Sequence, residues 1–358
     1  MNLALFDAIS TLRTFAINPL VNGLILGVMV IGVFISFRVL NIADLSVEGI
    51  VPLVTMLTAV LIDRWTNPFL CLLIGMAIGA ITGIGNALLT IYLKTPPLLS
   101  GIIMMALTFG FAILINSLTA GQASFSASEH LTVFNWLKDL IAGNNADRVY
   151  LFYASYLSYI IVGLVILLLI WFALYFFFGT ELGMSIRAAG KNEAMARASG
   201  ISVNKMSIIA LAISGALIGL SASLYGQHNG MGLPTDGQGM IVIALSSLFL
   251  GETIIGRKSF KRSLLSAVIG SLLYWYIIQA LMLLDTNGSL LSIFKAVLLV
   301  LIIALQMFVA YIKKRIKQGP HKGELTQSED KENAKNDDMV PSFKESIVRH
   351  CLGERNNA

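Results

Sequence analysis

The chain has 358 residues, of which 56% are hydrophobic and 13% charged, with a mean hydropathy of +0.79 and a formal net charge of +5. Soluble globular domains carry about a quarter charged residues. The composition therefore excludes an ordinary soluble protein and indicates an integral membrane protein. Because the basic residues cluster at the ends of apolar runs, the positive charge gives no evidence for a nucleic-acid partner.

The first 18 residues, MNLALFDAISTLRTFAIN, lack the basic start and small-residue cleavage site of a signal peptide. Apolar residues recur in this stretch at helical spacing, at Leu5, Phe6, Ile9, Leu12 and Phe15. The pattern predicts an amphipathic helix over 1–18 that lies in the membrane interface.

Nine apolar runs follow, and each is long enough to cross a hydrocarbon layer of about 30 Å as a helix. They lie at 20–37, 45–62, 68–92, 98–118, 151–178, 206–226, 238–255, 263–284 and 289–312. Only helices, or broken helices covered by neighbours, satisfy their backbone groups in lipid. The sequence thus predicts an all-α polytopic bundle of about nine transmembrane segments (eight to ten) within a membrane domain at 19–318. The run 238–255 is the weakest, and a re-entrant segment is the alternative there.

The flanking charges predict the orientation of this bundle. With the N-terminus outside and the C-terminus inside, fourteen basic residues fall on the cytosolic side, against Arg13, Arg64, Lys138 and Arg148 outside. This distribution follows the positive-inside rule. It places the loop 119–150 outside the cytoplasm and the polar tail 319–358 in the cytosol, where its composition predicts mostly disorder.

Small residues recur at every fourth position in two of the runs. The first row is Gly75, Gly79 and Gly83, and the second is Gly215, Gly219 and Ser223. Such rows let helix backbones approach closely in lipid, so we interpret them as helix-packing surfaces.

A polar and basic segment, GMSIRAAGKNEAMARASGIS at 183–202, separates two very apolar runs. Its alanines favour a helix, and Gly183, Gly190 and Gly200 mark turns or close backbone approaches. A short cytosolic helix held between two membrane helices would offer a soluble partner a surface to push on. The alternative is an ordinary solvated loop whose basic residues only set the topology.

This segment resembles the cytosolic coupling loop of ATP-binding-cassette importer permeases of the branched-chain amino acid and ribose type. The residues that match that loop are Gly183, Arg187, Ala188, Gly190, Asn192, Glu193, Ala196, Gly200 and Ile201. The stretch VNGLILGVMVIGVFISFRVLNIADLSVEG is similar to the family's opening and its Asn-x-Ala signature, which begins here at Asn41. GQGMIVIALSSLFLGETIIG resembles a third family motif, but Gly251-Glu252 stands where the family has Gly-Gly. The resemblance runs in order over residues 20–312.

The resemblance implies a permease domain with a coupling loop at 180–205, working by alternating access in the bacterial cell membrane. It implies two cytosolic ATPase subunits and an extracytoplasmic substrate-binding protein as partners. It also implies a second permease copy, so that the permease would be a homodimer surrounded by membrane lipid. The stretch ADLSVEG at 43–49 is similar to a subgroup linked to aromatic amino acids, so we expect an amino acid, aromatic or branched-chain, as substrate. The sequence has no G-x-x-x-x-G-K-[ST] loop, so we expect the permease to be a transport subunit and not an enzyme, with ATP and Mg²⁺ on the partner ATPase.

Four polar residues in or beside the predicted spans are candidates for a translocation path or gate, namely Asn41, Asp44, Glu48 and Asn86. Buried polar groups in membranes are expensive and often functional. Asp44 and Glu48 would lie one helical turn apart near the inner interface, where the alternatives are a gate, a pair with Arg38, contact with water or contact with substrate. For Asn86, a hydrogen bond between helices is the other interpretation.

An ion-coupled secondary transporter is the main alternative function. Such a protein should carry titratable groups near mid-membrane in both halves, whereas the middles of these runs are nearly all apolar or small. The histidines are isolated in sequence, and we predict no metal site.

Overall fold

A computed structural model describes residues 13–64, 67–121, 123–125, 131–143, 148–256, 259–282 and 291–317. Within these ranges the regular structure is helical, and a single bridge joins Ser124 to Met231. The helices are α1 Asn18–Phe34, α2 Val47–Arg64, α3 Pro68–Tyr92, α4 Pro97–Leu118, α5 Val133–Ala142, α6 Arg148–Phe177, α7 Glu181–Lys191, α8 Glu193–Ala198, α9 Val203–Asn229, α10 Met240–Ile255, α11 Phe260–Met282 and α12 Leu291–Lys317. π-Helical turns at Arg13–Ile17 and Ile35–Val39 extend α1, and a 3₁₀ turn at Pro234–Gly237 precedes α10.

Each of the nine apolar runs contains one long helix, which confirms the all-helical fold class. Seven of these helices are long and apolar enough to cross a membrane: Phe15–Val39, Pro68–Tyr92, Pro97–Leu118, Ala154–Phe177, Val203–Asn229, Pro234–Ile255 and Phe260–Met282. Helix α2 carries Glu48, Asp63 and Arg64 within 18 residues, and the apolar part of α12 is Ile293–Phe308. Nine crossings and the N-out orientation therefore stay predictions.

The contacts divide the chain into a unit ending at Ile303 and a second unit beginning at Ala304. In the first unit, α1 is the central helix. Its most apolar stretch of 18 residues is 83% buried, and the helix packs against α6, α9, α10 and α11. Two hydroxyls of α9 donate to its backbone, Ser214 to the Gly32 carbonyl at 2.7 Å and Ser221 to the Ile25 carbonyl at 2.8 Å. In lipid, such hydrogen bonds between helices stabilise the bundle together with van der Waals packing.

The two predicted rows of small residues face each other across α3 and α9. We call this contact the glycine seam. A Cβ atom added at Gly79 would collide with the Gly215 carbonyl, and one added at Gly219 would collide with the Gly75 carbonyl. Gly83 abuts the Leu211 carbonyl in the same way. The two backbones therefore touch over two helical turns.

A second close contact, which the sequence analysis missed, joins α10 to α11. A Cβ atom at Gly251 would collide with the Ser266 carbonyl, and one at Gly270 would collide with the Ser247 carbonyl. The residues involved are again small and four positions apart, but each row has two members here and three in the seam.

The loop 119–150 contains a short helix, α5, that the sequence analysis did not predict. Thr132 caps it by accepting a hydrogen bond from the Asn135 N–H at 3.0 Å. Phe134 is buried and packs on Tyr159 of α6 with ring centroids 4.9 Å apart. Residues 122, 126–130 and 144–147 of this loop, residues 1–12 of the predicted interfacial helix and the tail 319–358 lie outside the described part of the chain.

The chain enters α10 from within the bundle. A Cβ atom at Gly232 would press on the backbone of Met56, and one at Gly237 would collide with the Glu48 carbonyl. The segment 230–239 thus runs antiparallel to α2, and α10 begins beside the first turn of that helix. Glycine is required at both contacts because any side chain would separate the two backbones.

Candidate functional site

The predicted coupling segment (residues 180–205, called the coupling segment below) forms two short helices rather than one. Thr180 caps α7 through its Oγ1, which accepts from the Gly183 N–H at 3.3 Å. Asn192 ends α7 in an extended conformation and caps α8, with its Oδ1 accepting from the Met195 N–H at 3.1 Å. Gly200 has a φ of +78°, a conformation that glycine adopts without steric cost, and turns the chain toward α9.

Two glycines attach this segment to the membrane bundle. At Gly183 a Cβ atom would collide with the Phe177 carbonyl at the end of α6. At Gly190 it would collide with the Val39 carbonyl, where the first span ends. The coupling segment is therefore in backbone contact with the ends of α6 and α1, which a loosely solvated loop would not be.

The outer surface of the coupling segment is partly apolar. Leu182, Met184 and Met195 are 50%, 53% and 69% exposed. Of the residues predicted from the family pattern, Gly183 and Ala196 are buried, while the others are half-buried (Arg187, Ala188, Gly190, Ile201) or exposed (Asn192, Glu193, Gly200). Exposed methionines suit a surface that repacks against a partner.

The predicted gate residues Asn41, Asp44, Glu48 and Asn86 divide into separate environments. Asp44 is buried, and its Oδ1 accepts from the Ser46 N–H at 2.9 Å and from the Asn86 Nδ2 at 2.8 Å. This supports the interpretation of Asn86 as a hydrogen-bonding link between segments. Asn41 is exposed with a φ of +59°.

The expected helical spacing of the acidic pair is wrong. Asp44 and Glu48 do not share a helix, because α2 begins at Val47 and Asp44 lies in the preceding connector. Glu48 is half-buried, and its carboxylate lies against the backbone N–H groups of Gly239 and Ile241 at the start of α10. Helix N-termini favour negative charge, so this contact stabilises the entry into α10.

Arg38 pairs with neither of those carboxylates. Its Nη2 lies 2.6 Å from the Oε2 of Glu252, joining the end of α1 to the end of α10. Its guanidinium also lies 5.2 Å from the ring centroids of Phe37 and Phe249. Glu252, the residue that departs from the family pattern, is thus a functional candidate that the sequence analysis noted but did not interpret.

A cavity of about 530 Å³ separates the coupling segment from the connector after α1. Asn41, Lys94, Gly190, Lys191 and Arg197 are among the residues that line it. The predicted signature residue Asn41 and the coupling glycine Gly190 therefore share one cavity. In the described part of the chain, no group of three or more His, Cys, Asp or Glu side chains has the geometry of a metal site.

Sequence comparison matches residues 15–305 to the family described as "Branched-chain amino acid transport system / permease component". The chain is 25% identical to the tyrosine transport system permease protein of Clostridioides difficile (strain R20291), over 80% of this chain and 90% of that protein. It is 27% identical to the ribose import permease protein RbsC of Escherichia coli (strain K12), over 84% and 89% of the two chains. The fructose import permease protein FruF of Bifidobacterium longum (strain NCC 2705) is 26% identical over 74% and 69%. No solved structure matches the chain.

Proposed function

The chain belongs to the branched-chain amino acid transport system permease family and is the permease component of an ATP-binding-cassette importer; from this premise we propose that it takes up an amino acid by alternating access. In this proposal two ATPase subunits, which bind ATP and Mg²⁺, drive a permease homodimer in the bacterial cell membrane. An extracytoplasmic binding protein delivers the substrate. The ion-coupled alternative loses its support because the relatives named above are import permeases of this family.

The observation that carries the proposal is the construction of the coupling segment. Its outer surface exposes Leu182, Met184 and Met195, which a groove on a soluble subunit would cover. Its inner surface is in backbone contact with α6 and α1 through Gly183 and Gly190. A push on the exposed side is therefore transmitted to the membrane helices without an intervening flexible layer.

The substrate class rests on two weaker observations. The alignment with the tyrosine permease spans 80% of this chain, and the ADLSVEG stretch at 43–49 resembles the aromatic amino acid subgroup. The ribose and fructose permeases show that sugars are the competing class. Uptake of labelled tyrosine and ribose into proteoliposomes containing the permease, its ATPase and its binding protein would separate the two; we expect ATP-dependent tyrosine uptake that a proton ionophore leaves unchanged.

A substitution on the exposed side tests the coupling assignment. Met195→Glu puts a carboxylate where we expect the ATPase to bury an apolar side chain, so we expect ATPase copurification with the permease to fall about tenfold or more. The matched control is Met231→Glu, which also changes a partly exposed methionine (46%) but lies on the segment between α9 and α10. Equal copurification of both variants with the ATPase would show that the coupling segment is not part of the ATPase interface.

A further inference from the structure

A second cavity lies on the other side of the coupling segment, among the ends of α1, α6, α10 and α11. It has a volume of about 1010 Å³. Its lining includes Arg38, Arg187, Lys191 and Lys261, and Glu252 is the one acidic residue among the described residues that line it. We refer to this cavity as the basic pocket.

Among the described residues, the positive charge of the basic pocket is only partly balanced. Glu252 is engaged by Arg38 at 2.6 Å. The Arg187 guanidinium lies 4.9 Å from the ring centroid of Phe260, and the Lys261 Nζ lies 4.5 Å from that of Tyr175. An aromatic ring attracts and orients a cation but carries no net negative charge. The pocket is therefore preorganised for an anion.

The donor groups of the pocket suit a phosphate in particular. Arginine presents a planar fork of N–H groups to phosphate oxygens, and lysine adds a mobile point charge. Ser259 and Ser263, which carry neutral hydroxyl donors, also line the cavity. The combination provides several charged and neutral donors around a volume large enough for a glycerophosphate group.

An apolar stripe leads away from the mouth of the pocket along α6. Leu164, Leu168, Phe172 and Phe176 recur every fourth residue and are between 43% and 69% exposed, and Phe176 also lines the pocket. Only 28% of the most apolar 18-residue stretch of this helix is buried, so the described residues leave the stripe uncovered. A ligand with a phosphate at one end and hydrocarbon chains at the other would match both features.

We propose that the basic pocket binds the headgroup of an anionic phospholipid, such as phosphatidylglycerol, whose acyl chains lie along the α6 stripe. Basic pockets between membrane helices on the cytosolic side commonly recognise such headgroups. This assignment rests on the proposed orientation, which puts this end of the bundle in the cytosolic leaflet. Because Arg187 and Lys191 belong to α7 while Lys261 belongs to α11, the bound headgroup ties the coupling segment to the bundle. Lipid composition would then regulate how firmly the coupling segment is held.

The test compares two double variants of the full-length permease that lose the same charge. Lys191→Gln/Lys261→Gln removes two cations from the pocket, whereas Lys94→Gln/Arg262→Gln removes two exposed cations that do not line it. Each protein is reconstituted in vesicles of mixed phosphatidylglycerol and phosphatidylcholine, extracted in mild detergent, and analysed by native mass spectrometry. Thermal unfolding of the same samples verifies that the variants are folded.

We expect the wild type and the Lys94→Gln/Arg262→Gln control to retain phosphatidylglycerol in preference to phosphatidylcholine. The pocket variant should retain about tenfold less, since each cation near the headgroup contributes to the attraction. Wild-type retention should also fall with added salt. Equal retention of both lipids by the wild type, or equal losses in the two double variants, would overturn the proposal.

Two further arms identify the source of the anion and the occupant of the stripe. If millimolar glycerol 3-phosphate displaces the retained lipid completely, the pocket is a free-phosphate site and the lipid assignment is wrong. If cysteines introduced at Leu168 and Phe172 cross-link two permease copies, the stripe is a subunit interface and the assignment is also wrong. Because these measurements use the permease alone, a negative result overturns the lipid site without bearing on ATP-driven transport.

Discussion

The glycine seam between α3 and α9 and the contact between α7 and the end of α1 are both made by glycines, but they differ in extent and position. The seam places Gly75, Gly79 and Gly83 against the opposing backbone. In the contact of α7 with the end of α1, one glycine, Gly190, meets the opposing backbone, and this contact lies at one end of the bundle. A repeated contact inside the bundle fixes two helices as one body, whereas a single contact at its end allows a neighbouring element to move while still transmitting force. The same residue type thus serves packing in one region and, in the proposed function, transmission in the other.

The largest effect is expected in the seam. Gly79→Leu forces a side chain into the Gly215 carbonyl, and neither backbone can withdraw without opening the contacts at Gly75 and Gly83. We expect a loss of about 3 kcal/mol or more and little monodisperse protein in fluorescence-detected size-exclusion chromatography. The control is Gly110→Leu on α4, where an added Cβ meets nothing within 4 Å. Similar behaviour of the two variants would show that the seam is not a rigid contact.

A different outcome is expected at the coupling contact. Gly190→Ala displaces α7 from the Val39 carbonyl, but α7 is near one end of the bundle and can shift as a unit. We expect normal insertion and a loss of ATP-driven uptake of about tenfold or more, measured in proteoliposomes with the partner ATPase and binding protein. Gly121→Asn is the control, because Gly121 also has a positive φ, which asparagine tolerates, and no atom lies within 4 Å of an added Cβ there. Unchanged uptake in Gly190→Ala would show that the contact between Gly190 and Val39 does not transmit movement to the bundle.

The smallest effect concerns the ion pair beside the coupling segment. Glu252→Gln leaves the Arg38 guanidinium, whose side chain is 26% exposed, without its full countercharge, and we expect a loss of about 1–3 kcal/mol in thermal unfolding. The double variant Arg38→Met/Glu252→Met should lose less than Glu252→Gln, since no charge is left unpaired. Glu193→Gln is the control, because the exposed pair of Glu193 and Arg197 at 3.8 Å should contribute almost nothing. A larger loss in the double variant would mean that the pair itself stabilises the bundle.

Most of the fold could be predicted from hydrophobic runs, because lipid leaves a long apolar segment few alternatives to a helix. The runs at 68–92 and 238–255 coincide with α3 and α10 to within two residues. The helix α5 escaped prediction because its stability comes from burying Val133 and Phe134 against other elements and not from a long apolar run. Periodicity within one segment does not reveal such tertiary contacts.

The candidate site was predictable where it depends on local geometry and unpredictable where it depends on which helices meet. The glycines at 183, 190 and 200 were recognised as turns or close approaches, and the structure gives each of them one of these conformations or contacts. The sequence offered Asp44 and Glu48 as possible partners of Arg38 among several alternatives, and it did not suggest Glu252, which is 214 residues away. A signal did exist, since Glu252 is a carboxylate at a position where the related pattern has glycine.

The contact of Gly190 with Val39 has a mechanical consequence for the whole molecule. It delivers any displacement of α7 to the helix with the highest burial, and that helix touches α6, α9, α10 and α11. Because close-packed interiors have low compressibility, a movement of about an ångström at this point is not absorbed locally. It would emerge instead as a tilt shared by four neighbours, which is the kind of movement that the proposed alternating access requires.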